Sequence, residues 1–282
     1  MKNIEIVKNI LSSKKLKKDI TFIHIGDIHY NETTSTKKLE YIKYAIEDAH
    51  PDYIFITGDL LDRPKITKNK EKIKLLVSWL NSLGNIAKVF ISLGNHDIIL
   101  EEDYKFFNKL NDINNIYVLN DQSYEDENVF ISGFTLPTNY YYNIEKHEDE
   151  NALLETLQNN FNLVTNLPKK KYKVALIHSP ILLSEKKVVE KLKEYDLILS
   201  GHMHNGLIPR ILDKIIKNNY GLISPDKRFF AKNTRGKIKT KYYTIIITGG
   251  ITKLSPSSTK ILSKLNGLYP ISINKITVKG EK

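Results

Sequence analysis

The chain has 282 residues, 41% of them hydrophobic and 27% charged, enough to bury one substantial core as an α/β domain. It contains no cysteine, which excludes disulfides and thiolate-held zinc or iron–sulfur centres; any metal must sit on His, Asp, Glu or Asn. The net charge of +11 and pI near 9.3 describe either a solvated lysine-rich surface or an anionic partner such as a nucleotide, a nucleic acid or a lipid headgroup. Residues 1–18 carry charge every few positions and lack a leader's apolar stretch, and no window approaches the ~20 apolar residues of a membrane span. A soluble cytoplasmic protein is the expectation.

In chain order, the apolar run 21–25 reads as a strand, followed by a helix over 35–49 with Leu39, Ile42, Ala45 and Ile46 on one face. A second strand, 53–57, precedes a helix over 70–83 built on Ile73, Leu76, Trp79 and Leu80. Strand 88–93 and a short helix 103–110 follow, then strands 116–119 and 129–132 and a helix 149–161. Strands 174–177 and 197–200 flank a helix near 185–194, and 242–248 and 270–278 are strand-like with no helix between them. Strands alternating with helices imply a largely parallel sheet, and the later helix-free strands imply a second, mixed one. The expected architecture is a layered α/β/β/α sandwich with two mixed central sheets. It would form a single domain over 1–282, with a core of about 21–250 and C-terminal strands in 251–282. Two long connections stand out, 134–147 and 206–241; long loops in compact domains are commonly lids or substrate walls. The second holds ten Lys/Arg against Asp213 and Asp226.

Five of the strand-like runs end in His, Asp or Asn, most beside a glycine. FIHIG runs into Asp27-Ile28-His29, YIFIT into Gly58-Asp59, and VFISL into Gly94-Asn95-His96-Asp97. VALI ends at His178, and LILS runs into Gly201-His202-Met203-His204. Ligands of open α/β sheets bind beyond the carboxyl ends of the strands, so these segments would meet at one edge. Imidazole and carboxylate suit Mn, Fe or Zn, and a carboxylate can bridge two such ions. Two divalent ions ~3.5–4 Å apart can activate a hydroxide between them and neutralise a phosphoryl oxygen.

The ordered set D-x-H, GD, GNHD, H, GH-x-H resembles the motifs of the calcineurin-like metallophosphoesterases, in particular their bacterial phosphodiesterase-like branch. The resemblance implies that Asp27, His29 and His204 bind one metal, Asn95, His178 and His202 the other, and that Asp59 bridges them. It further implies that His96 stays off the metals and, with Asn95, faces the phosphate, while Asp97 fixes the His96 tautomer by a hydrogen bond. The protein-phosphatase form is incomplete, because Arg63 is followed by Pro64. The implied activity is hydrolysis of a phosphodiester or phosphoanhydride in an anionic substrate by a hydroxide bridging two divalent ions. The alternatives are a two-metal nuclease and a non-catalytic metal-binding scaffold of the same fold.

Other residues divide between bland and functional readings. His24 reads as a hydrogen-bonded core histidine, and His50 and His147 as surface or capping residues. Asp62 and Arg63 read first as an exposed ion pair, with phosphate binding by Arg63 as the second reading. The Tyr140-Tyr141-Tyr142 cluster reads as loop packing or, through Tyr141, as a substrate wall. Gly249-Gly250 is either a turn or a close backbone approach to the site. The basic surface also admits nucleic acid or peripheral membrane contact.

Overall fold

The computed structural model describes residues 4–62, 64–99, 101–141, 149–212, 215–216, 219–224, 228–252 and 271–281. Two six-stranded sheets lie face to face. The first has the order β1 (Ile4–Ser13), β12 (Ile271–Gly280), β2 (Ile20–Ile25), β3 (Tyr53–Thr57), β4 (Lys88–Ser92), β5 (Ile116–Val118). The second runs β10 (Gly236–Lys239), β11 (Thr244–Ile247), β9 (Leu197–Ser200), β8 (Tyr172–Ile177), β7 (Val129–Phe134), β6 (Gln122–Glu125). Both are mixed: β2 to β5 run parallel but β12 is antiparallel to β2, and β7, β8, β9 and β11 run parallel between antiparallel edges β6 and β10.

Strand alternation divides the core into three layers. In β2, β3 and β4 the residues Phe22, Phe55 and Phe90 point into the layer between the sheets, where Val174, Leu176, Leu197, Leu199 and Ile246 meet them. Their neighbours Ile23, Ile54, Ile56, Val89 and Ile91 face the other way. There they pack under α1 (Thr36–Asp48), α2 (Lys70–Gly84) and α3 (Glu101–Leu110). On the second sheet Ala175, Ile177, Ile198, Ile245 and Ile247 pack under α5 (Glu150–Asn159) and α6 (Lys186–Lys191). The result is an α/β/β/α sandwich. Ser35 starts α1 by accepting the Lys38 amide, and the Trp79 indole donates to the Leu39 carbonyl at 2.9 Å, locking α2 against α1.

Three strands stand outside the elements read from the sequence. β1 pairs along its whole length with β12, so the first sheet extends beyond the 21–250 core on both sides of the chain. Its apolar residues are interrupted by Lys8 and Asn9, which hides the period, and its pairing partner lies at the far end of the sequence. β6 (QSYE) and β10 (GKIK) are polar four-residue edge strands whose patterns resemble loops. β10 lies within the basic connection, so that segment contributes to the sheet as well as to a cap. The 134–147 connection holds the short helix α4 (Thr138–Tyr141).

Candidate metal centre

The carboxyl ends of β2, β3 and β4 in one sheet meet those of β8 and β9 in the other. Past the strand ends the β2–β3 ladder continues with Asp27 N–H to Gly58 O at 3.1 Å, His29 N–H to Asp59 O at 2.9 Å and Tyr30 N–H to Leu60 O at 2.8 Å. The sheets are stitched together here by polar groups: His178 Nδ1–H donates to the Thr57 carbonyl at 2.8 Å, and the His202 amide donates to Asp27 Oδ1 at 2.9 Å. Asp27, His29, Asp59, His202 and His204 all adopt left-handed φ, between 46° and 66°. Such angles are costly for non-glycine residues, and their concentration here is backbone strain held by the surrounding sheets. At Gly94 a Cβ would collide with Asp59 Oδ1. At Gly250 (φ 77°) it would come within 2.8 Å of the Asp27 Cβ. The Gly249-Gly250 alternative is thereby decided at Gly250, as a close backbone approach to the site.

The structure gathers Asp27, His29 and His204 into one group and Asp59, His178 and His202 into another, with His29, Asp62 and His96 forming a third beside the first; the candidate ligand atoms in each lie within 4.8 Å of one another. Asp59 joins the groups, with Oδ2 at 3.6 Å from His29 Nε2 and 3.3 Å from His178 Nε2. Asn95 is buried on the turn after β4, next to His96, whose amide donates to Asp59 Oδ1 at 2.9 Å. Several of these atoms are buried without a hydrogen-bond partner: Asp27 Oδ2, both ring nitrogens of His29, and His178 Nε2. Buried carboxylate and imidazole atoms that converge at 3.3–3.6 Å with little else to pair with are costly alone and fit divalent cations. The outer faces of two rings are fixed, His178 by Thr57 and His204 Nδ1–H by the Thr252 carbonyl at 2.8 Å, which leaves Nε2 of each as the available nitrogen.

The charges are mutually dependent. Burial, with repulsion from Asp59, pushes the Asp27 carboxyl up to about 6 against the pull of His178. Burial alone would raise Asp59 too, yet His178, His96 and His29 hold it well below the carboxylate range. Burial disfavours charge on His178, but Asp59 raises it to about 9. His202 is pushed down to about 3, first by burial and then by His178, and His204 falls well below its usual value, chiefly through burial. These two rings are neutral, as ligation requires.

Two expectations fail here for a geometric reason. Asp97 does not orient His96: its carboxylate accepts the amides of Leu60, Leu61 and Gly94 at 3.3, 3.0 and 3.0 Å, tying the β3 turn to the β4 turn. Instead, His96 Nδ1–H donates to the main-chain carbonyl of Asp62 at 2.7 Å. Nor is Asp62 exposed. It is 2% accessible, and its Oδ1 lies 3.3 Å from His29 Nδ1. Asp62, read from the sequence as half of an exposed ion pair, stands instead at the site, and the signal was its place three residues after Asp59 in the same turn. Arg63 and Tyr142 lie outside the described residues, as does His147. Tyr141 stands at the site, its ring 5.3 Å from His202 and 6.1 Å from His178, while Tyr140 is packed in the core. His24 is a buried core histidine and His50 an exposed one.

Comparison with known proteins places this geometry in a family. The metallophosphoesterase YkoQ of Bacillus subtilis, described as uncharacterized, is 28% identical over 197 residues, covering 68% of this chain and 63% of that protein. An uncharacterized metallophosphoesterase of Aquifex aeolicus is 23% identical over 209 residues, 73% of this chain and 71% of its own. A shorter match, 30% identical over 94 residues, covers 33% of this chain and 27% of the UDP-2,3-diacylglucosamine pyrophosphatase LpxG of Chlamydia muridarum. The family model for calcineurin-like phosphoesterases matches residues 20–206, a span that contains every residue of the two ligand groups. With that span covering most of the chain, and the strand ends arranged as described, the protein belongs to the calcineurin-like phosphoesterases.

Proposed function

We propose that the chain is a dinuclear hydrolase of phosphodiesters or phosphoanhydrides. The observation that carries this reading is the pair of three-residue groups Asp27/His29/His204 and Asp59/His178/His202, with Asp59 Oδ2 of the second 3.6 Å from His29 Nε2 of the first and buried nitrogen and oxygen atoms aimed into both. Asp27, His29 and His204 would hold one divalent ion (Mn, Fe or Zn), Asn95, His178 and His202 the second, with Asp59 between them. Such ions supply Lewis acidity to a phosphoryl oxygen and bring the pKa of a bound water near neutrality.

The chain's own residues supply the rest. His96 is half-buried at the rim, and because Asp62 engages its Nδ1, Nε2 is the nitrogen left to meet a phosphate oxygen. From there it can protonate the leaving oxygen or stabilise charge on phosphorus. Asp97 sets the turn that carries His96, so it acts on position and not on the proton. Tyr141 provides a flat wall beside His202 for an organic substituent, which favours a diester over inorganic phosphate. Phosphoanhydrides are included because the chlamydial relative is named a pyrophosphatase.

Protein saturated with Mn or Zn should hydrolyse bis-p-nitrophenyl phosphate, and His96→Ala should lower kcat by about 10²–10⁴-fold while retaining its metal. A fully metallated wild type that is inert towards this diester and towards a nucleoside diphosphate ester would contradict the reading.

A further inference from the structure

After His204 the chain builds a cap with an unusual surface. Gly206 O accepts the amides of Leu222 and Ile223 at 2.8 and 3.1 Å, which pins an irregular hairpin directly behind a candidate ligand. The hairpin pairs Tyr220 with Lys232 and Ile223 with Phe229, and the buried Arg235 ties it to the preceding turn through its bond to the Ile216 carbonyl at 2.8 Å. This anchored base contrasts with what it presents. Ile211, Ile215, Phe229 and Phe230 are 84%, 77%, 73% and 64% exposed, the most solvated large apolar side chains of the described residues apart from Ile10 (67%). Phe230 is also held at φ 53°, a costly position for a bulky residue, while its ring stays in solvent. Exposed Lys232 and Lys237 follow in the same segment.

We propose that this cap docks on an anionic lipid bilayer, its Ile and Phe side chains entering the headgroup–acyl boundary and its lysines meeting the phosphates. Isolated exposed apolar residues are ordinary, but four on one basic cap are the combination that interfacial binding uses. Charge selects among occupants. A second copy of this chain would set the same cations against each other, at a net charge of +11 per chain. Single-stranded nucleic acid needs stacking faces, which the Phe pair has and the Ile pair lacks. An anionic bilayer satisfies both the apolar and the cationic groups. No helix among the described residues is long and apolar enough to cross a membrane, and the proposed contact is a peripheral one. Docking would bring the metal centre to the headgroup layer, because the cap is fixed to the loop that carries His204.

The test is co-sedimentation of the full chain with large unilamellar vesicles of phosphatidylcholine alone or with about a third phosphatidylglycerol. Binding is expected to the anionic vesicles only and to weaken with salt. The double variants Phe229→Ser/Phe230→Ser and Ile211→Ser/Ile215→Ser should each bind at least about tenfold less tightly, with the melting temperature of the wild type. Hydrolysis of soluble bis-p-nitrophenyl phosphate by the same proteins keeps this result separate from the proposed activity: that activity can fail while docking stands, and the reverse. Wild type that ignores the anionic vesicles, variants that bind them as tightly, or preferential binding of a single-stranded oligonucleotide would overturn the proposal.

Discussion

Asp62 serves two histidines with two different groups. Its carboxylate faces His29, and its main-chain carbonyl holds His96. Changing Asp62 to Asn therefore removes the charge behind His29 and leaves the backbone bond to His96 in place. Carboxylates behind ligating imidazoles raise their basicity and fix their orientation, so Asp62→Asn should weaken metal binding by about 10–100-fold. Calorimetric titration with Mn checks this, and an unchanged affinity would show that Asp62 does not support His29. The residue scale is also where sequence reasoning was strongest and where it misplaced a partner. Candidate ligands at strand ends are legible because a metal site would demand His, Asp or Asn there, and the structure brings those residues together. The partner of His96 was not: adjacency suggested Asp97, but neighbouring side chains in a tight turn diverge. Asp97 instead binds three amides belonging to two turns.

Among the elements, β2 is the hub. His24 in β2 binds Thr57 of β3 through Nε2 at 2.9 Å and faces Asn274 of β12 through Nδ1 at 3.4 Å, so one buried imidazole links three strands behind the metal centre. Burial pushes its pKa down to about 3, from about 6.5 in the unfolded chain. The folded state keeps His24 neutral while the unfolded state takes up a proton below 6.5. Its contribution is therefore complete above pH 6.5 and is lost as pH falls from there towards 3. Denaturation at a series of pH values should show a His24→Leu variant lacking about one proton of this dependence relative to wild type. Identical pH slopes in the two proteins would refute the assignment. The strands and helices around this hub were legible from their periods, α1 and α2 to within a residue or two. β1 was not, because its partner β12 lies at the other end of the chain and no local pattern reports such a pairing.

For the whole molecule, two sheets face each other so that parallel strands from both deliver side chains to one end. Two of the three candidate ligand groups need both sheets: Asp27 and His29 come from the first and His204 from the second, and the same division separates Asp59 from His178 and His202. The layered sandwich could be read from the order of the strands. The cap could be recognised as basic but not as apolar-tipped, since exposure of Phe229 and Phe230 is a property of packing. Because Asp59 lies between the two groups, within 3.6 Å of His29 and 3.3 Å of His178, the site should fill as a pair. The decisive measurement is metal content per chain after saturation with Mn or Zn and removal of the excess. The account predicts two ions in the wild type and one or fewer in Asp59→Asn; a wild type that retains a single ion, or none, would contradict it.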